Sequence, residues 1–142
     1  MSCLPRVGFR SSEGWNRADR RAKSVARSFQ VRDARDVADA RKYVLQQCRS
    51  FGFSVCDDAA LLASEVVTNA LRHAPSAAIS VRAERDGEQL VVQVLDASRD
   101  EPKVLAEDVW DERGRGMALV NSIADEWGVV PHPSGKVVWF RL

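Results

Sequence analysis

The sequence predicts an α+β protein, a two-layer α/β sandwich in which helices cover one face of a mostly antiparallel sheet. Two observations support this prediction. Apolar residues recur at helical spacing over residues 36–51 and 54–73, and after Pro75 they alternate as in strands. Further on, Asp86-Gly87 and the segment 131–135 each separate two short apolar runs, as turns between strands do. Helices and strands that are segregated in this way pack as two layers.

Local signals justify the individual elements. Gly52 separates the first two helices, and Ser54 or Asp57 can cap the start of the second. Pro75 ends that helix because proline cannot continue one. In chain order we predict an edge strand at 28–31, helices at 36–51 and 54–73, strands at 77–83 and 89–96, a long loop at 97–113, a short helix at 116–124, and two final strands at 126–130 and 136–142 joined by a turn at 131–135.

Length and charge predict one folded domain with an arm. The 142 residues suffice for a single sizeable core. Residues 1–32 contain eight Arg and Lys residues against two acidic ones, whereas the whole chain has a net charge of +1. We therefore predict a basic, disordered arm at residues 1–27 and a domain at residues 28–142. The arm could bind nucleic acid, but a solvated tail is the simpler explanation because the arm lacks interleaved aromatic residues on a folded face.

Cysteine usage indicates the compartment. The three cysteines, Cys3, Cys48 and Cys56, are odd in number and lack CxxC spacing, which disfavours a disulfide framework or a zinc site. We expect a reducing, cytoplasmic environment. No apolar run approaches the roughly 18 residues that a membrane-spanning helix needs, and the N-terminus does not resemble a secretory signal. We therefore expect no membrane partner.

The second helix places three polar side chains in one row. Glu65, Asn69 and His73 are spaced four residues apart, so they share one face of the helix. A carboxylate can accept a proton, and the amide oxygen of Asn69 is a hard ligand suited to Mg²⁺. The alternative is a solvated polar stripe, and His73 is more simply explained as a cap or core histidine near the helix end.

Two further features indicate a nucleotide site. Asp96 ends a run of aliphatic residues, where its carboxylate could accept a hydrogen bond from an exocyclic amine such as that of adenine; a strand-ending turn residue is the alternative. The segment Gly114-Arg115-Gly116-Met117 begins a helix. Its glycines would let the backbone approach phosphates, its helical N–H groups would bind them, and Arg115 would add a cation. An ordinary loop-to-helix junction is the alternative, and P-loop and Rossmann glycine motifs are absent.

In this order, these residues resemble the GHKL superfamily, the ATP-binding domain shared by sensor histidine kinases, Hsp90, gyrase and MutL. Within it the chain resembles the RsbW- and SpoIIAB-like anti-sigma-factor serine/threonine kinases, especially the short actinobacterial members. The resemblance covers about residues 28–142. It rests on three segments. The family's N box is matched by Glu65-x-x-x-Asn69-Ala70-x-x-His73-Ala74, and its second glycine box is matched by Gly114-Arg115-Gly116-Met117-x-Leu119-Val120. The third segment is similar to the closing strands of this branch and runs from Trp127-Gly128 to Trp139.

The resemblance implies a Bergerat-type fold and a role for each matching residue. Glu65 would be the general base that activates the attacking hydroxyl, Asn69 would hold Mg²⁺, and Asp96 would contact the adenine amino group. Residues 97–113 would form the ATP lid. Phosphoryl transfer depends mainly on positioning and charge neutralisation, so a small set suffices. The residues expected to bind the nucleotide are Asn69, His73, Asp96, Ser98, Gly114, Arg115, Gly116 and Met117.

One segment departs from the family pattern. The first glycine box usually reads Asp-x-Gly-x-Gly, whereas this chain has Asp96-Ala97-Ser98-Arg99-Asp100. Ser98 can still turn the chain, and its hydroxyl can contact the ligand. A stiffer entry to the lid would weaken nucleotide binding, so the departure bears on kinase activity more than on the fold.

The resemblance implies a regulatory serine/threonine kinase that uses ATP and Mg²⁺. Its expected partners are a STAS-type anti-sigma-factor antagonist, which it phosphorylates, and a sigma factor; a homodimer is expected on the same ground. A histidine kinase would need a phosphoacceptor His on a dimerisation helix, and the two histidines, His73 and His132, do not suit that role. The alternatives are a nucleotide-sensing module without catalysis and a nucleic-acid-associated protein that acts through its arm.

Overall fold

The computed structural model of the protein describes residues 28–73, 78–97 and 115–142. The predicted arm, and residues 98–113 of the predicted loop, lie outside the described residues. No helix in the described ranges is long and apolar enough to cross a membrane. The elements are β1 (Phe29–Val31), a short 3-10 helix (Ala34–Asp36), α1 (Val37–Ser50), α2 (Cys56–His73), β2 (Ile79–Asp86), β3 (Gln89–Asp96), α3 (Arg115–Ile123), β4 (Glu126–His132) and β5 (Gly135–Arg141).

The described strands form one antiparallel sheet in the order β1-β2-β3-β5-β4. Tight turns join β2 to β3 and β4 to β5, and β3 lies at the centre of the sheet. The predicted α+β class with a mostly antiparallel sheet is confirmed. The central position of β3 matters for function because its last residue, Asp96, has a paired strand on each side.

The three α-helices of the described ranges pack against one face of the sheet. Leu90, Val92 and Val94 of β3 belong to the same core cluster as the buried residues of the helices. Since side chains alternate across a strand, the intervening residues of β3 face the other side. There Leu95 joins Val137 and Trp139 of β5 in a separate cluster. The two clusters establish which side of each strand faces the helical layer.

Helix α2 forms where the sequence predicts a helix. Its buried residues recur at helical spacing, including Ala59, Leu62, Val66 and Ala70. The helix begins at Cys56, so Asp57 lies in its first turn rather than at the cap. Acidic residues in the first turn and basic residues in the last turn both suit the helix dipole.

The final hairpin corrects one prediction. The turn was predicted to span residues 131–135, but β4 continues to His132 and β5 begins at Gly135, which leaves two residues between them. Pro131 therefore lies within a strand and pairs with Lys136. Proline has no N–H for a strand ladder, and β4 tolerates it because β4 is an edge strand of the described sheet.

At the opposite edge, a side chain replaces part of the strand ladder. β1 is only three residues long and pairs with the first residues of β2. Beyond β1, the backbone N–H of Ala83 donates to the hydroxyl of Tyr43, with a nitrogen–oxygen distance of 3.4 Å. The Tyr43 ring also lies 5.8 Å from the ring of Phe29. Helix α1 thus covers the edge of β2 that β1 does not reach.

Candidate functional site

Helix α2 runs along the sheet and ends where β3 ends. Just before α2 begins, the backbone oxygen of Phe51 accepts a hydrogen bond from Arg85 at 3.3 Å, and the Arg85 guanidinium lies 5.3 Å from the centre of the Phe53 ring. Arg85 is near the β2–β3 turn. After α2 the chain enters β2 at Ile79, which pairs with Asp96. An 18-residue helix is about 27 Å long and an eight-residue strand is about 26 Å long. The carboxyl half of α2 therefore lies toward the Asp96 end.

The predicted row lies along the border between the buried and exposed faces of α2. Glu65 and Asn69 are half-buried, and His73 in the last turn is exposed. Beside them, Val66 and Ala70 are buried in the core. Successive members of the row are about 6 Å apart along the helix axis. The Glu65 carboxyl and the Asn69 amide are therefore partly shielded but still accessible from the carboxyl half of α2.

Asp96 is a buried strand residue rather than part of a turn. It pairs with Ile79 on one side and Lys136 on the other, and it is only 2% exposed. Its position in the alternation of β3 matches that of Val94, so its side chain faces the helical layer. Next to it, the N–H of Ala97 donates to the backbone oxygen of Ala78 at 2.9 Å, which closes the end of the sheet. A carboxylate buried there is costly unless polar groups compensate it.

Helix α3 has its amino end directed toward the same region. It begins at Arg115 and ends at Ile123, and the N–H of Asp125 donates to the backbone oxygen of Arg141, at the end of the sheet away from Asp96. Arg115, Gly116 and Met117 form its first turn, whose N–H groups have no partner within the helix. Ser98 and Gly114 lie outside the described residues.

Met117 has a different environment from the other predicted contacts. Its side chain is 1% exposed and packs in the core with Val66, Ala70 and Val94. The thioether therefore packs against the elements that position Asn69 and Asp96. A direct contribution of Met117 to ligand binding would come from its backbone N–H.

Two residues that the sequence-based prediction missed adjoin Asp96. Lys136, the second residue of β5, is half-buried and directly opposite Asp96 in the ladder. Gly135 has a φ of +153° and lies against the backbone of Asp96. The Ser134-Gly135 turn signal marked the start of β5, but it could not show that β5 pairs with β3.

The donor set fits Mg²⁺ bound together with a nucleotide. Within residues 28–73, 78–97 and 115–142, no group of three or more His, Cys, Asp and Glu residues could hold a metal ion. Mg²⁺ is commonly held by one or two protein oxygens together with phosphates and water. The amide oxygen of Asn69 is a ligand of that kind. The site thus suits a metal that arrives with phosphates rather than one enclosed in a protein cage.

Comparison with known proteins identifies the chain at the level of a family. The model of the histidine kinase-like ATPase domain matches residues 25–142. None of the curated proteins matches the sequence. The family match spans every described element, and it includes all of the predicted site residues.

Proposed function

Because the chain belongs to the family of histidine kinase-like ATPase domains, which implies ATP binding, we propose that it is a regulatory serine/threonine kinase. It would bind ATP with Mg²⁺ and transfer the γ-phosphoryl group to a Ser or Thr of a partner protein. The main support is the placement of Glu65 and Asn69 on the accessible border of α2, in the half that lies toward the buried Asp96. A base, a magnesium ligand and a purine contact are then available from two adjoining elements.

Each residue would have a separate role. The Glu65 carboxylate would accept the proton of the attacking hydroxyl, and the Asn69 oxygen would hold Mg²⁺ against the phosphates. Bound Mg²⁺ would neutralise phosphate charge during transfer. Asp96 would accept a hydrogen bond from the exocyclic amine of adenine. The N–H groups at the start of α3 would contact the phosphates, as helix amino ends commonly do.

The proposed acceptor is a serine or threonine rather than a histidine of the chain itself. His73 is exposed at the end of α2, within the row that would form the site, and His132 is the last residue of β4. Neither lies on a separate dimerisation helix. The motif resemblance to anti-sigma-factor kinases supports a STAS-type antagonist as the phosphorylated partner and a sigma factor as the second partner. A homodimer is proposed on the same ground, and a cytoplasmic location is proposed from the cysteine usage, which suits a reducing compartment.

Calorimetry with ATP and Mg²⁺ tests the nucleotide site. We expect micromolar binding by the unaltered chain and loss of its Mg²⁺ dependence in Asn69→Ala. Thr68→Ala is the matched control, because Thr68 is the preceding residue, is exposed, and donates its hydroxyl to the backbone oxygen of Ser64 at 2.7 Å. Thr68→Ala should bind as the unaltered chain does. Absence of ATP binding by the unaltered chain would refute the proposal.

Transfer is tested separately with γ-labelled ATP and the STAS-type proteins of the source organism. Label on a Ser or Thr of one of them, located by mass spectrometry, is the expected result. Binding of ATP with no transfer to any of them would instead favour the nucleotide-sensing module. The departure at Ala97-Ser98-Arg99-Asp100, where the family usually has glycines, is the sequence feature that motivates this second candidate.

A further inference from the structure

We propose that Lys136 determines the base specificity of the nucleotide site. Together with Asp96 it would present one hydrogen-bond donor and one acceptor to the Watson–Crick edge of a purine. This pair matches adenine and mismatches hypoxanthine and guanine. The inference deepens the proposed function and rests on it, because it assumes that Asp96 contacts the base.

The strand register places the two side chains next to each other. Lys136 of β5 is the direct partner of Asp96 in the antiparallel ladder. Directly opposed residues have Cβ atoms about 4.5–5.5 Å apart and point to the same face of the sheet. The side chains of Lys136 and Asp96 therefore begin as neighbours on one surface.

That surface is the one covered by the helices. Val138 and Phe140 of β5 pack in the helix-facing core, whereas Val137 and Trp139 form the cluster on the other side. By alternation, Lys136 shares the face of Val138 and Phe140. It is half-buried at the second position of β5, so its flexible stem can lie along the sheet while its ammonium group stays near the site.

The two groups differ in what they can offer a base. An ammonium group only donates hydrogen bonds, and an ionised carboxylate only accepts them. Adenine has a donating 6-amino group beside an accepting N1, so the amino group would face Asp96 and N1 would face Lys136. Hypoxanthine and guanine have an accepting O6 beside a donating N1–H, the reverse order. A site built for one hydrogen-bond pattern rejects the other strongly because its own polar groups are then left unpaired.

Base analogues test the pairing atom by atom. Calorimetric dissociation constants would be compared for ATP, inosine triphosphate, 1-deaza-ATP and 7-deaza-ATP in the presence of Mg²⁺. For the unaltered chain we expect weaker binding of 1-deaza-ATP, which lacks the N1 acceptor, by about tenfold or more, the usual size for a hydrogen bond to a charged group. Binding of 7-deaza-ATP, which retains N1, should match that of ATP.

Substitution of Lys136 should remove the effect of N1. In Lys136→Met, ATP and 1-deaza-ATP should bind equally, and the preference for ATP over inosine triphosphate should fall by about tenfold. Lys136→Gln retains a donor and should keep part of that preference. Lys42→Met is the control, because Lys42 lies on α1 and its side chain is 73% exposed. This variant should leave the ratios of dissociation constants among the four nucleotides unchanged.

The outcomes separate the two proposals. If the unaltered chain binds none of the nucleotides, the proposed function fails. If it binds ATP, and folded Lys136→Met keeps the full difference between ATP and 1-deaza-ATP, the assignment of Lys136 is overturned. Equal binding of ATP and 1-deaza-ATP by the unaltered chain also overturns it. A purely structural ion pair with Asp96 would lower the melting temperature of Lys136→Met without changing the nucleotide ratios, and that result would likewise contradict the inference.

Discussion

The backbone of Gly135 lies directly against the backbone carbonyl of Asp96. A Cβ atom on Gly135 would overlap the carbonyl oxygen of Asp96 and would lie 3.0 Å from its carbonyl carbon and 3.1 Å from the Cα of Ala97. The φ of +153° at Gly135 is also one that side chains rarely permit. The last hairpin therefore fits tightly against the end of β3 only because residue 135 has no side chain.

We expect Gly135→Ala to destabilise the fold by about 2 kcal/mol or more, the size typical of backbone overlap and strain. Gly87→Ala is the matched control. Gly87 also has a positive φ, of +62°, but a Cβ there meets no atom within 4 Å, so a cost of about 1 kcal/mol is expected from conformation alone. Urea unfolding of the two variants measures the difference. Equal losses in the free energy of unfolding would contradict the prediction, because they would show that the backbone at Asp96 can move to accommodate a Cβ atom on residue 135.

Substitution of Glu65 should separate binding from transfer. The variant Glu65→Gln removes the basic carboxylate while keeping the size of the side chain, so ATP affinity should change little and phosphoryl transfer should slow by about 10²–10⁴-fold. Asp57→Asn makes the same chemical change in the first turn of α2, at the other end of the helix, and should transfer normally. Single-turnover transfer and calorimetry provide the two measurements. A Glu65→Gln variant with unaltered transfer would exclude Glu65 as the base.

The buried thiol of Cys48 should make stability depend on pH in the alkaline range. Burial, followed by the neighbouring Cys56 thiol, raises the pKa of Cys48 from 9.0 to about 12. A raised pKa means that the folded state holds the proton more tightly than the unfolded state does. The contribution to stability is therefore complete below pH 9 and is lost progressively as the pH rises toward 12.

Urea unfolding between pH 7 and pH 11 can detect this loss when the unaltered chain is compared with Cys48→Ala. The variant should be less stable at neutral pH because the substitution leaves a cavity in the core. The difference in free energy of unfolding between the two proteins should decrease as the pH rises, because only the unaltered chain loses the contribution of Cys48. The comparison is needed because burial also raises the pKa of Tyr43, which adds an alkaline loss common to both proteins. Parallel stability profiles would contradict the assignment to Cys48.

Periodicity predicted the helices and hairpins well because it depends on local sequence. The apolar repeat through Val66 and Ala70 located α2 and the row of Glu65, Asn69 and His73, and the structure places that row at the border of the buried face. The final turn was predicted too long because proline usually interrupts strands. An edge strand can include one, and only the strand order showed that β4 is at an edge.

The neighbours of Asp96 could not be predicted for a different reason. Each hairpin is visible in the sequence, but the pairing of β3 with β5 joins residues 40 positions apart through tertiary packing. Lys136 and Gly135 are adjacent to Asp96 only by virtue of that pairing. The burial of Met117, by contrast, follows from the local sequence, because the apolar spacing of Met117, Val120 and Ile123 predicts that they face inward, and the structure buries Met117.

The edges of the sheet have a consequence for assembly. A free strand edge is a template for a further strand, either from another copy or from a misfolded chain. Here Pro131 offers no N–H to a further strand at the β4 edge. Near the opposite edge, the N–H of Ala83 already donates to the Tyr43 hydroxyl. Within the described residues, strand addition is therefore disfavoured at Pro131 and along the part of β2 that β1 does not reach. Contacts that another chain makes at these two places should therefore depend on side chains rather than on backbone pairing.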